Sequence, residues 1–175
     1  MDLSSDFVPS EPVPVVRLNP ETHEREFVHL HWGLIPAWVS APSLGGRLTH
    51  ARAETVATKR AFREVFRRRR CLVVVDSFQL SRRRKSYLIQ MTDGQPFGVG
   101  AIWDGWQGDD ESYIESCAII TTAANELVEP INDRMPVIIA WGDYDRWLDP
   151  GFYDIEELER MMRPWSSDRM LVSPG

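Results

Sequence analysis

Between residues 71 and 141 the chain repeats one pattern, an apolar run that reads as a strand followed by a gap too short for a crossover helix. The runs are "CLVVVDSFQL" (71–80), "SYLIQM" (86–91), "PFGVGAIW" (96–103), "YIESCAIITT" (113–122) and "PVIIAW" (136–141). Parallel neighbours need a connection of about a dozen residues or more, whereas antiparallel ones close through a short turn. The spacing therefore predicts a mixed α+β fold with mainly antiparallel strands, and it argues against a doubly wound sheet. "TDGQ" carries an Asp93-Gly94 turn signal, which predicts a hairpin between its flanking strands. "CLVVVDSFQL" is apolar almost throughout, as a strand in the middle of a sheet should be. With 175 residues and no linker of distinct composition, one domain over 1–175 is expected.

The flanks complete this reading. "PVPVVRL" (12–18) reads as an edge-type strand, because its prolines lack a ladder donor. "REFVHLHWGLIP" (25–36) alternates, with Phe27, His29 and His31 on one side and Val28, Leu30 and Trp32 on the other. Pro36, Pro42 and Gly45-Gly46 then mark a loop, and Thr55 to Arg67 has helical spacing, with Phe62 and Phe66 at i, i+4. "DYDRWL" and "DIEELERMMR" predict two short C-terminal helices, the second capped by Asp154.

Charge narrows the class of partner. The net charge is -6, yet residues 51–85 hold twelve of the twenty Lys and Arg against three acids. Two runs dominate, "RRRR" (67–70) and "RRRK" (82–85). Clustered cations suit a phosphate backbone, which rewards them by counterion release; as solvated ends of a helix and a hairpin they need no partner. No apolar stretch approaches the ~20 residues of a membrane span, and the acidic, proline-rich start is unlike a signal peptide. Cys71 and Cys117 both lie in apolar runs, as buried free thiols of a reducing cytoplasm would.

Four blocks place polar groups at strand ends: "HWGLIPAW" (31–38), "HARAET" (50–55), "VVVDSF" (73–78) and "INDRMPVII" (131–139). In this order they resemble the SOS response-associated peptidase (SRAP) family, whose members crosslink to abasic sites in single-stranded DNA. The resemblance runs from about Asp6 to Pro174 and implies strands curled around a cleft with short helices outside.

Family chemistry uses a cysteine directly after the initiator methionine, whose amine and thiol together close a ring on the sugar aldehyde. Here Met1 is followed by Asp2, and "SSDFVPSEPVPVV" resembles a segment further along the family's sequence. The cysteine-bearing segment and a final C-terminal strand are thus expected to be missing. Where the family writes Asn-Ala-Arg, this chain has His50-Ala51-Arg52; the glutamate of a Glu-Trp pair falls on Leu80; and Asn132 replaces a histidine before Asp133-Arg134-Met135-Pro136. Neither Leu80 nor Asn132 titrates near neutral pH, so neither serves as a general acid or base. The resemblance implies a catalytically inactive member that retains at most binding to single-stranded or damaged DNA.

Its expected contacts are Arg52, Trp38, Arg67, Arg68, Arg69, Arg70, Arg82, Arg83, Arg84 and Arg134, with Trp38 offering a stacking surface. Arg134 has a competing role, an ion pair with Asp133 or Asp104. For His50 three readings stand: a hydrogen-bonding replacement that is structural or faces DNA, a catalytic remnant, or a zinc ligand with His29 and His31. No metal or other cofactor is expected. Two other functional readings are a protein-interaction or decoy module and an enzyme rewired around His50.

Overall fold

The computed structural model describes Pro9, residues 11–40 and residues 48–175. Met1, Asp2 and the expected loop signals Pro42 and Gly45-Gly46 lie outside the described residues.

The main sheet is built from β1 (Pro12–Leu18), β2 (Arg25–Trp32), β3 (His50–Arg52), β4 (Arg70–Val75), β7 (Phe97–Gln107) and β8 (Tyr113–Ala123). Its path β7-β4-β1-β2-β8 returns on itself because β7 also pairs with β8, so five strands close a barrel. The pairings are antiparallel except where β2 and β3 run parallel to β8, one after the other. Where β7 and β8 separate, β9 (Arg134–Pro136) pairs with β8 and β10 (Ile138–Ile139) with β7. Val137 bridges that fork: its N–H donates to Ile120 O, and its carbonyl accepts from Gly100.

Period-two alternation fills the barrel. Val13, Val15, Leu30, Trp32, Cys71, Val73, Val99, Ala101, Cys117 and Ile119 share one buried cluster. A second sheet, β5 (Ser77–Arg82), β6 (Lys85–Met91) and β11 (Met170–Pro174), covers the barrel end reached by Val75, contributing Phe78, Leu80, Ile89 and Met170 to the same core. The opposite end is closed by charge. Arg17, almost fully buried, donates to Glu26 and to both oxygens of Glu115, and its guanidinium lies 4.0 Å from the Trp103 ring centroid. Burial alone would lower its pKa, but the hydrogen bonds and fields of the two glutamates outweigh that and raise it. Outside the barrel, α1 (Arg63–Arg68), α2 (Tyr144–Leu148) and α3 (Ile155–Met161) cover a second cluster that includes Phe62, Phe66, Ile102, Trp147 and Leu158. Asp154 caps α3 by accepting from the N–H groups of Glu156 and Glu157.

Several expectations change. "CLVVVDSFQL" is two strands, not one: Asp76 is exposed, and the chain passes there from the barrel to the second sheet. β4 is a middle strand as expected, between β1 and β7. The Asp93-Gly94 turn exists, with Gly94 at φ +66, yet it joins strands of different sheets rather than a hairpin. β1 is no edge strand: Val15 and Val16 pair with β4, while Pro12 and Pro14 lie outside that second ladder, where no donor is needed. The helix foreseen over 55–67 shortens to Arg63–Arg68. Thr55, Val56 and Thr58 disfavour it, and the Thr58 hydroxyl donates to the Thr55 carbonyl beside the Lys59 N–H.

The true hairpin is β5–β6. Arg82 faces Lys85, and Arg83 and Arg84 form a two-residue turn with φ +49 and +65. Both central residues of such a turn need positive φ, which Asn-Gly meets and arginine resists by about 1 kcal/mol per residue.

Candidate nucleic-acid interface

The two arginine runs lie at opposite ends of the barrel. "RRRR" ends α1 and opens β4 near Arg17, and "RRRK" is the β5–β6 tip beyond the other end. Six residues of β4 alone span about 20 Å. The cations expected over 51–85 are therefore divided between two places in the fold.

At the Arg17 end, Asp104 organises a groove. This buried carboxylate accepts from the Ala37 N–H at 2.8 Å, from Gly105 at 2.9 Å and from Arg69. Trp106 donates its indole N–H to Val39 O, so the 37–39 loop is held on β7 from two points. Trp38 thereby stands 64% exposed, with the Arg60 guanidinium 5.9 Å from its ring centroid. The groove, about 580 Å³, is lined by Trp38, Arg60, Arg63, Arg68 and Arg69, with Glu64 and Asp104 its carboxylates. An exposed indole amid guanidiniums can stack a base while the cations take its phosphates. Arg60 and Arg63 were not among the expected contacts, although their helical spacing with Arg67 was a legible signal.

The RRRR run divides by burial. Arg68 is exposed and lines both this groove and a neighbouring cavity, and Arg67 is exposed with its guanidinium 5.3 Å from the Tyr153 ring centroid. Arg69 is tied to Asp104 and sits 5.2 Å from the Trp103 ring centroid. Arg70 is not available to DNA, contrary to expectation. Its guanidinium is buried and donates to the carbonyls of Phe66, Arg67, Trp147, Asp149 and Phe152. Burial pulls its pKa down to about 10.

The residues that the resemblance matches to family chemistry lie on β3, on β5 and just before β9. His50 points its ring edge at Trp32, centroids 5.6 Å apart, and its Nδ1 shares a 2.9 Å hydrogen bond with the Thr49 hydroxyl. Leu80 is buried in the main core, and the Asn132 side chain accepts from the Arg134 N–H. Arg52 is exposed at the end of β3. Arg134 is anchored, though to neither acid foreseen: it forms a two-pronged pair with Glu54 at 2.7 and 2.9 Å and donates to Thr121 O. Hydrogen bonding from Arg134, with its field and that of Arg52, holds Glu54 below the usual glutamate value. Those contacts hold the Arg134 guanidinium in place beside β8.

Among the described residues no group of three His, Cys, Asp or Glu could hold a metal ion, so His29, His31 and His50 do not assemble as zinc ligands. Cys71 and Cys117 are buried free thiols, the first raised well above its ordinary value and the second to about 12, both by desolvation. No helix among the described residues is long and apolar enough to cross a membrane.

Residues 2–174 match the description of the SOS response associated peptidase (SRAP) domain. The chain belongs to the SRAP family. It is 34% identical over 146 residues to the abasic site processing protein YoqW of Bacillus subtilis, covering 81% of this chain and 65% of YoqW. Against YedK of Escherichia coli, also an abasic site processing protein, identity is 30% over 164 residues, covering 84% of this chain and 70% of YedK. The chain thus spans about 65% of the YoqW length. A crystal structure of a protein from Bacteroides thetaiotaomicron superposes with a TM-score of 0.84 at 26% identity, over 94% of this chain and 74% of that one. The SRAP architecture expected from the sequence is thereby confirmed.

Proposed function

We propose that this SRAP-family chain holds single-stranded or damaged DNA in the cytoplasm without completing the covalent step. One observation carries the reading: Asp104 and Trp106 fix a loop so that Trp38 projects into a groove lined by Arg60, Arg63, Arg68 and Arg69. Relatives named as abasic site processing proteins favour a damaged strand as the occupant. Arg52, exposed at the end of β3, is read as a further contact to the strand. Loss of the covalent step is argued from chemistry. Leu80 is an apolar core residue where the family has a carboxylate, and the Asn132 amide is occupied in a turn where the family has an imidazole. Neither moves a proton.

The test is fluorescence anisotropy on a labelled single strand, with and without an abasic site, followed by a denaturing gel. Binding should weaken with salt by a slope of about -0.7 per neutralised phosphate. Trp38→Ala should cost about 1–3 kcal/mol, the worth of a stacked base. The gel should show free protein only. A gel-stable adduct on the abasic strand would refute the loss of chemistry. Absence of binding at low salt would refute the reading itself and favour a protein-interaction module.

A further inference from the structure

The β5–β6 hairpin tip is built against its own stability. Arg82 and Lys85 face each other across the ladder, a like-charge pair that disfavours the hairpin. Between them Arg83 and Arg84 both occupy left-handed backbone, where asparagine and glycine are at ease. All four side chains are exposed, and none enters an ion pair with a described carboxylate. At the other end of the barrel Arg17, Arg69 and Arg70 contrast with this, each satisfied within the fold, although Arg67 and Arg68 beside them are exposed. Four unneutralised cations on a two-residue turn become favourable once an external polyanion offsets their repulsion.

We infer that the Arg82–Lys85 tip is a phosphate-binding site of its own, separate from the Trp38 groove, which grips the sugar-phosphate backbone of a nucleic acid without reading its bases. This rests on the DNA-binding reading above and adds a second point of contact at the far end of the barrel. With no aromatic side chain within residues 81–86, the tip has nothing on which a base stacks. Its contacts are consequently ionic and indifferent to sequence.

A turn exchange tests it. R83N/R84G supplies the residues that a turn with two positive φ values favours and removes two cations. The melting temperature should rise by roughly 4 °C, while affinity for a long single strand should fall. With two phosphate contacts gone, the salt slope should flatten by about 1.4, so the loss of affinity between roughly 50 and 200 mM salt should be about sevenfold smaller than in the unaltered protein. R83K/R84K, which keeps the charge, should retain the original slope. Strands of different base composition should show the same change.

An R83N/R84G protein that is more stable yet keeps the original slope overturns the tip site and leaves the groove reading intact. If the unaltered protein binds no strand at low salt, both readings fall. Tip-dependent binding to phosphatidylserine vesicles, with none to oligonucleotides, would likewise overturn a nucleic-acid site.

Discussion

The two ends of the barrel use the same residue type in opposite ways. At the Arg17 end, Arg17, Arg69 and Arg70 are absorbed by glutamates, by Asp104 and by backbone carbonyls. At the hairpin end, Arg82, Arg83 and Arg84 are exposed and none pairs with a described carboxylate. The sequence writes both as four consecutive cations, but one run closes a helix with Arg67 and Arg68 exposed before Arg70 enters the core, while the other turns a corner in water. Cationic runs thus do not share a role because they share a composition. What divides them is whether the fold supplies acceptors within reach.

The largest expected difference concerns Arg70. Arg70→Met leaves several buried carbonyls without a donor, each worth about 1–3 kcal/mol, and should destabilise the protein by about 4 kcal/mol in urea unfolding. The matching change at the other end, Arg84→Met, should cost nothing or stabilise. Equal effects at the two positions would erase the contrast.

Asp104 comes next. Asp104→Ala strips Arg69 of its partner and the Ala37 N–H of its acceptor, and loss of hydrogen bonds to this buried carboxylate costs about 2 kcal/mol. Binding of a single strand should fall along with stability, because the loop that presents Trp38 is released. Tryptophan fluorescence of the folded variant reports that release.

The Glu54–Arg134 clamp should respond to acid. Its folded carboxyl titrates below the ordinary 4.5, so the pair contributes fully above that value and is lost as pH falls through the depressed one. Glu54 is about half exposed, and solvent screening limits the contribution to about 0.5 kcal/mol. Glu54→Gln should lower stability slightly at neutral pH and match the unaltered protein once pH has fallen below the depressed value.

The smallest effect on stability belongs to Arg68, exposed between the groove and its neighbouring cavity. Arg68→Ala should stay within about 0.5 kcal/mol by thermal melting. On a single strand it should flatten the salt slope by about 0.7.

Much of this architecture was legible locally. Alternation in "REFVHLHW" set Val28, Leu30 and Trp32 on one side, short gaps pointed to a largely antiparallel sheet, and Asp154 marked its helix. The α3 cap and the strand alternation depend on neighbours a few residues away, so the order of residues suffices to state them. The site was less legible. Trp38 and the cations near it were visible as residue types, but Asp104, which holds their loop, lies 67 positions from Ala37.

The chain order alone determined most of the strands, the excess of cations in one fifth of the chain and the family to which the four blocks belong. Only the tertiary structure decided that Asp76 breaks an apolar run in two, that Asp93-Gly94 joins separate sheets, and that Arg70 is core while Arg84 is surface. The physical reason is range. Side-chain alternation and capping are set within a few residues, whereas desolvation of a guanidinium depends on carbonyls that arrive from about eighty positions away, such as those of Asp149 and Phe152.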